Sequence, residues 1–247
     1  MNAIETTGLT KRFRGRTAVE DLNLTIAQGE FFALLGQNGA GKTTTIRMLT
    51  CLLAPSAGDA FLMGESISRN AEAAKAHSNL SPQETAIAQN LTVRENLMLI
   101  ARLYGANKAD AAGRSEAAMR EFGLSARARD RAKTLSGGMQ RRLSIAMALI
   151  TKPNVLFLDE PTLGLDVRAR RELWKTISAL KGKVTVVLTT HYLEEAEALA
   201  DRIGIMHEGR LQALGTAAAL CAETNTTNFE DAFLALTESE SEKEAAL

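Results

Sequence analysis

FFALLGQNGAGKTT, residues 31–44, decides the fold. Phe31 to Leu35 form an unbroken apolar run, which suits a strand covered on both faces of a mixed or parallel sheet. Gly36 to Thr43 then match G-x-x-x-x-G-K-[ST] in full. A helical pattern follows, with Ile46, Leu49 and Leu53 on one face and Ala54-Pro55 as the expected stop. In a strand–loop–helix of this kind, backbone N–H groups point inward around a polyphosphate. Side chains would obstruct them, which accounts for Gly36, Gly39 and Gly41 among the backbone donors of Asn38, Ala40 and Thr44. Lys42 is expected to reach the β- and γ-phosphates as a compact cation, and the Thr43 hydroxyl to ligate Mg²⁺. The helix N-terminus adds its dipole. A dinucleotide-type G-x-G-x-x-G does not fit, because Thr44 stands where the third glycine belongs.

Downstream, VLFLDEP (residues 155–161) places Asp159 and Glu160 at the end of another apolar strand. Charges there are costly unless they bind something, and ligands of α/β sheets sit at strand ends. Asp159 is therefore the candidate to hold the Mg²⁺ shell, and Glu160 to orient or deprotonate the water that attacks the γ-phosphate. VTVVLTT and RIGIMHE read as further strands, with RRELWKTISAL as a helix before them. That alternation predicts a parallel α/β sheet. LNLTI, ahead of the phosphate loop, alternates as a half-buried strand, and Gln28-Gly29 reads as a turn.

The stretch between the two nucleotide motifs exceeds what a compact fold needs, and from Thr92 to Ile150 it reads as helix. Thr92 to Glu95 fits a capping box. ADAAGRSEAAMREFG is a second helix, weakened by Gly113. The third begins at LSGGMQ, residues 135–140, with Met139, Leu143, Met147 and Ile150 on one face. Ser136 and two glycines at a helix start form a second anion site, remote in sequence from the first.

Hydrophobic residues make up 45% of 247, enough for a sizeable core, and 29 Lys plus Arg balance 29 Asp plus Glu. Without a basic excess, nucleic acid is not an expected partner. Cys51 and Cys221 have no metal or redox spacing and read as reduced thiols. No apolar run approaches the ~18 residues of a bilayer span, and the N-terminus lacks a signal-type apolar segment. The expectation is a cytoplasmic chain.

The phosphate loop, SPQE with Gln83, LSGGMQRR, VLFLDEP, GLD with Asp166 and TTHYLEEAE with His191 occur in that order. Together they resemble the nucleotide-binding domain of an ATP-binding-cassette transporter, over about residues 4–236. The resemblance implies a phosphate-loop NTPase with a RecA-like mixed sheet core, an N-terminal antiparallel β subdomain and an inserted helical subdomain. The core is expected over about 1–84 and 151–237, the insertion over about 85–150, and a disordered polar tail over 238–247.

It further implies ATP and Mg²⁺ as cofactors, with Thr43, Gln83 and Asp159 around the metal and Lys42, Gln83, Glu160 and His191 in catalysis. Phe13, in LTKRF, matches the aromatic that stacks on adenine. Leu135, Ser136, Gly137, Gly138 and Gln140 are expected to act on the ATP of a second cassette, identical or homologous, and Asp166 matches the family's D-loop aspartate. The chain is expected at the cytoplasmic face of the membrane, driving a separate integral membrane permease. THYLEEAEALADRIGIMHEGRLQALGT and NFEDAFLALT are similar to drug-resistance and antibiotic-export cassettes, which implies export. The alternative is a soluble, non-transport ATPase of the same family. The mechanical members of that group need a long coiled coil between the nucleotide motifs, and this insertion is too short for one.

Overall fold

The computed structural model describes residues 1–238. The strands are β1 (Asn2–Phe13), β2 (Arg16–Ala27), β3 (Phe31–Leu35), β4 (Ala57–Leu62), β5 (Glu65–Ser66), β6 (Ser78–Ser81), β7 (Val155–Asp159), β8 (Thr185–Thr190), β9 (Arg202–His207) and β10 (Arg210–Gly215). They form two sheets. One is antiparallel in the order β2-β1-β4-β5. The other runs β10-β9-β3-β8-β7-β6 and is parallel except for β10, which turns back on β9.

Every residue of β3, β7 and β8 is buried, as their apolar sequences require of central strands. Strand alternation divides the side chains of β7 and β8 between two cores. Val155, Phe157 and Val187 pack with Ile46 and Met48 of α1 (Lys42–Leu49) and with the antiparallel sheet. Leu156, Leu158, Val186 and Leu188 pack with the helices on the other face. Each such side chain contributes about 1.5–3 kcal/mol by leaving water, so the central strands are rigid supports for whatever projects from their ends.

Those other helices include α3 (Val93–Leu103), α4 (Lys108–Glu121) and α5 (Gly137–Leu149), inserted between β6 and β7. The capping box forms: Glu95 N–H donates to Thr92 Oγ1 at 3.2 Å, and Thr92 N–H to Glu95 Oε2 at 2.8 Å. α4 carries Gly113 in its interior, and α5 starts behind Ser136 as its N-cap. α2 (Ala71–Ala76), α6 (Val167–Ser178), α7 (Leu193–Leu199), α8 (Ala217–Thr224) and α9 (Phe229–Thr237) complete the described chain.

One expectation needs correction. α1 ends before Ala54-Pro55, because Cys51 adopts φ 55° and both Leu52 and Leu53 N–H groups fold back onto the Arg47 carbonyl. Leu53 still packs on the core, from beyond the helix. Cys51 and Cys221 are free thiols. The expected polar tail lies outside the described residues, Glu238 excepted.

Candidate active site

Parallel pairing sets Leu35 opposite Thr190, Thr189 opposite Asp159, and Leu158 opposite Ser81. The segments that follow, carrying the phosphate loop, His191, Glu160 and Gln83, therefore leave the sheet along one edge. Asn38, Gly39, Gly41, Lys42, Thr43, Thr44, Gln83 and Glu160 line one cavity there, of about 230 Å³, together with Arg16. Ala40 lines an adjoining groove.

The glycines answer to more than phosphate. A Cβ on Gly36 would lie 2.4 Å from the Met206 carbonyl oxygen, and one on Gly41, at φ 106°, 2.5 Å from that of Ala18. The fold's own backbone excludes side chains at both. Gly39 matches the original reason better: it adopts φ 87°, and its nearest neighbour would be Arg16 Nη2 at 4.0 Å.

Lys42 Nζ donates to the carbonyls of Gly36 at 2.7 Å and Gln37 at 3.1 Å, and lies 3.5 Å from Glu160 Oε1. Burial lowers its pKa, with Glu160 pulling the other way. Thr43 Oγ1 donates to Asp159 Oδ1 at 3.2 Å, and Thr189 Oγ1 to the same oxygen at 2.5 Å. Glu160 sits at φ 46°, a left-handed conformation that L-residues seldom adopt. Its N–H is held by the Thr189 carbonyl and hydroxyl oxygens, each at 3.1 Å. His191 Nδ1 is 3.2 Å from Glu160 Oε2, but not aligned for a hydrogen bond. The carboxylate thus bridges from the phosphate-loop lysine to the histidine.

The other sequence candidates lie elsewhere. Phe13 is 49% exposed at a hairpin tip, so it is no core aromatic. Asp166 caps α6, accepting from Ala169 N–H at 2.8 Å. Ser136 Oγ accepts from Met139 N–H at 3.4 Å. Gln140 Nε2 donates to the Ala132 and Leu135 carbonyls, both at 3.2 Å, so its amide is engaged within its own loop. No residue of 135–140 lines the phosphate-loop cavity.

Two polar groups escaped the sequence reading. Arg141, 5% exposed, donates to the Pro82 carbonyl at 2.6 Å and the Gln83 carbonyl at 2.5 Å, tying α5 to the segment that carries Gln83. Its signal was a charge four residues before Ile145 and seven before Ala148, on the same buried helix face. The second is Glu195, fully buried on α7, which accepts from Trp174 Nε1 at 3.0 Å with Oε2 unpartnered.

Burial raises the Glu195 pKa, against the pull of the Trp174 donor and the Arg170 charge. A raised folded pKa means stability that is complete below the unfolded value, and lost as pH rises through the folded one. Glu195→Gln keeps an acceptor for Trp174 and cannot ionise. It is expected to match the parent below about pH 4.5, the ordinary glutamate value, and to exceed it increasingly above. Urea unfolding across pH measures this; a pH-independent difference would contradict it.

A glycine-lined loop between strand and helix, facing strand-end carboxylates across a parallel sheet, is the site of a phosphate-loop nucleoside triphosphatase. Comparison narrows the class. The family described as ABC transporter matches residues 19–163. The daunorubicin resistance ATP-binding protein of Streptomyces coeruleorubidus is 44% identical over 90% of this chain and 71% of its own length. The Nod factor export ATP-binding protein I of Paraburkholderia xenovorans is 44% identical over 89% of this chain and 73% of its own. A solved structure described as the ATP binding subunit of an ABC transporter aligns with TM-score 0.84 at 30% identity, covering 96% of this chain and 100% of that one. The chain belongs to the ABC transporter family, as one of its ATP-binding, ATP-hydrolysing subunits.

Proposed function

We propose that this subunit powers export through a separate membrane permease, and that two cassettes close on ATP and part after hydrolysis. The observation that carries the catalytic part is Glu160, held in a left-handed conformation between Lys42 and His191. An incoming phosphate offers Lys42 a new anionic partner, which frees the Glu160 carboxylate to take a proton from water. His191 then faces the γ-phosphate, and Phe13 offers its exposed face to adenine. Thr43 and Asp159 supply the hard oxygen donors that suit Mg²⁺ beside the phosphate loop, with Gln83 at the edge of the same cavity. When bound, the ion neutralises charge on the β- and γ-oxygens.

The signature segment cannot serve its own chain's cavity, since it contributes nothing to that lining. It caps α5 and presents a helix N-terminus with two glycines, a fitting lid for the triphosphate of a facing cassette.

Export is supported by relatives whose names speak of drug resistance and Nod factor export. No helix of the described residues is long and apolar enough to cross a membrane. On α3, Leu99 and Leu103 are 43% and 70% exposed, beside a groove of about 470 Å³ lined also by Leu91 and Met98. We assign this face to a cytoplasmic helix of the permease, at the cytoplasmic side of the membrane. Leu99→Asp with Leu103→Asp is expected to release the chain from its membrane partner during detergent purification, and to leave ATP hydrolysis by the free subunit unchanged. Equal recovery of the membrane protein with parent and variant would contradict the assignment.

A further inference from the structure

We propose that Arg16 is a further nucleotide-binding residue, placed beside the phosphate loop to hold the polyphosphate of ATP. The inference rests on the nucleotide site argued above and adds to it a second residue of the β1–β2 hairpin, beyond the Phe13 already assigned to adenine.

KRFRGR, residues 11–16, carries Lys11, Arg12, Arg14 and Arg16 with no acidic residue among them. None of the ion pairs among the described residues uses these four cations. Such a run of like charge raises the local concentration of anions. The hairpin places this charge beside the phosphate loop. Phe13 and Arg16 are cross-strand partners at its closing end, so the exposed aromatic face and the guanidinium are neighbours. Lys11 is committed elsewhere: Nζ donates to the Ala54 carbonyl at 2.6 Å and lies 5.4 Å from the Phe13 ring centroid.

Arg16 Nη2 donates to the Gly39 carbonyl at 3.3 Å, which leaves most of its five donors unused. The residue lines the 230 Å³ cavity with Lys42 and Thr43, and also the adjoining groove of about 410 Å³ with Asn38 and Ala40. It stands where the two meet. The carboxylates that share these walls are Glu160 and Glu208, and neither pairs with it. Lys42 already divides its charge between Glu160 and two carbonyls, so one lysine under-neutralises a polyphosphate. A guanidinium offers a planar fork that fits phosphate oxygens two at a time.

The test is ADP binding to the full chain, measured by calorimetry. Arg16→Ala and Arg16→Gln are expected to lower affinity by about tenfold or more, the scale of one lost charge-assisted hydrogen bond. Arg16→Lys is expected to restore much of it. Gln keeps a donor for the Gly39 carbonyl without the charge, so wild-type affinity in Arg16→Gln would reduce Arg16 to a prop for the loop and overturn the proposal. Arg14→Ala removes the same charge from the same tip without lining either cavity, and is expected to stay within about twofold of the parent. An equal loss there would replace the specific contact by a diffuse field, and would also overturn it. Lys42→Ala separates the two readings. Normal binding in that variant would overturn the nucleotide site itself. Weak binding there with normal binding in Arg16→Ala would overturn the Arg16 contact alone.

Discussion

Glu160→Gln is expected to bind ATP as tightly as the parent, to hydrolyse it at least about a hundredfold more slowly, and to accumulate as an ATP-bound dimer. The magnitude is that of a lost general base. The substitution keeps the shape of the side chain and its left-handed backbone, and removes the charge that faces Lys42 at 3.5 Å. Lys42 loses a competitor for phosphate, so binding does not suffer. The water loses its proton acceptor, so the step that would reopen the dimer stalls. Single-turnover hydrolysis and sedimentation with ATP measure the two halves of this result. Unchanged turnover would remove Glu160 from the chemistry.

Ser136→Arg is expected to abolish hydrolysis while the isolated chain still binds ATP. Its own cavity is intact, because residues 135–140 are not part of it. The variant loses the cap on Met139 N–H, at a cost of about 1 kcal/mol, and sets a bulky cation where a facing triphosphate must seat. Ser136→Ala separates the two effects: it removes the cap alone and is expected to reduce turnover far less. Full hydrolysis by Ser136→Arg would assign the signature a purely structural role.

Much of this arrangement was legible in the chain. Phe31–Leu35 and Val155–Asp159 are apolar throughout, because both faces of a central strand are covered, and their charged ends mark the site. The capping box of Thr92 with Glu95 was equally plain, whereas the capped helices α8 and α9 were not read from the sequence. β4, β5, β6 and β10 were not seen. None carries a β-branched residue to mark it as strand, and β5 and β6 are only two and four residues long. At the site, spacing showed which residues belong to the motifs but not which partners hold them. Thr189, which binds both Asp159 and Glu160, comes from a strand that is remote in sequence and adjacent only in the sheet. Arg141 and Arg16 were hidden for the same reason: their partners at Gln83 and Gly39 are fixed by tertiary structure.

The central claim is that each ATP is shared between two chains. Lys42→Ala damages the phosphate-loop half of a site, and Ser136→Arg the signature half. Each variant alone is expected to be inactive. In a mixed dimer, the intact phosphate loop of one chain faces the intact signature of the other. ATP hydrolysis measured before and after mixing the two purified variants is therefore the direct test. Recovery of turnover on mixing is the result expected; a mixture that stays as inactive as its components would contradict the shared site.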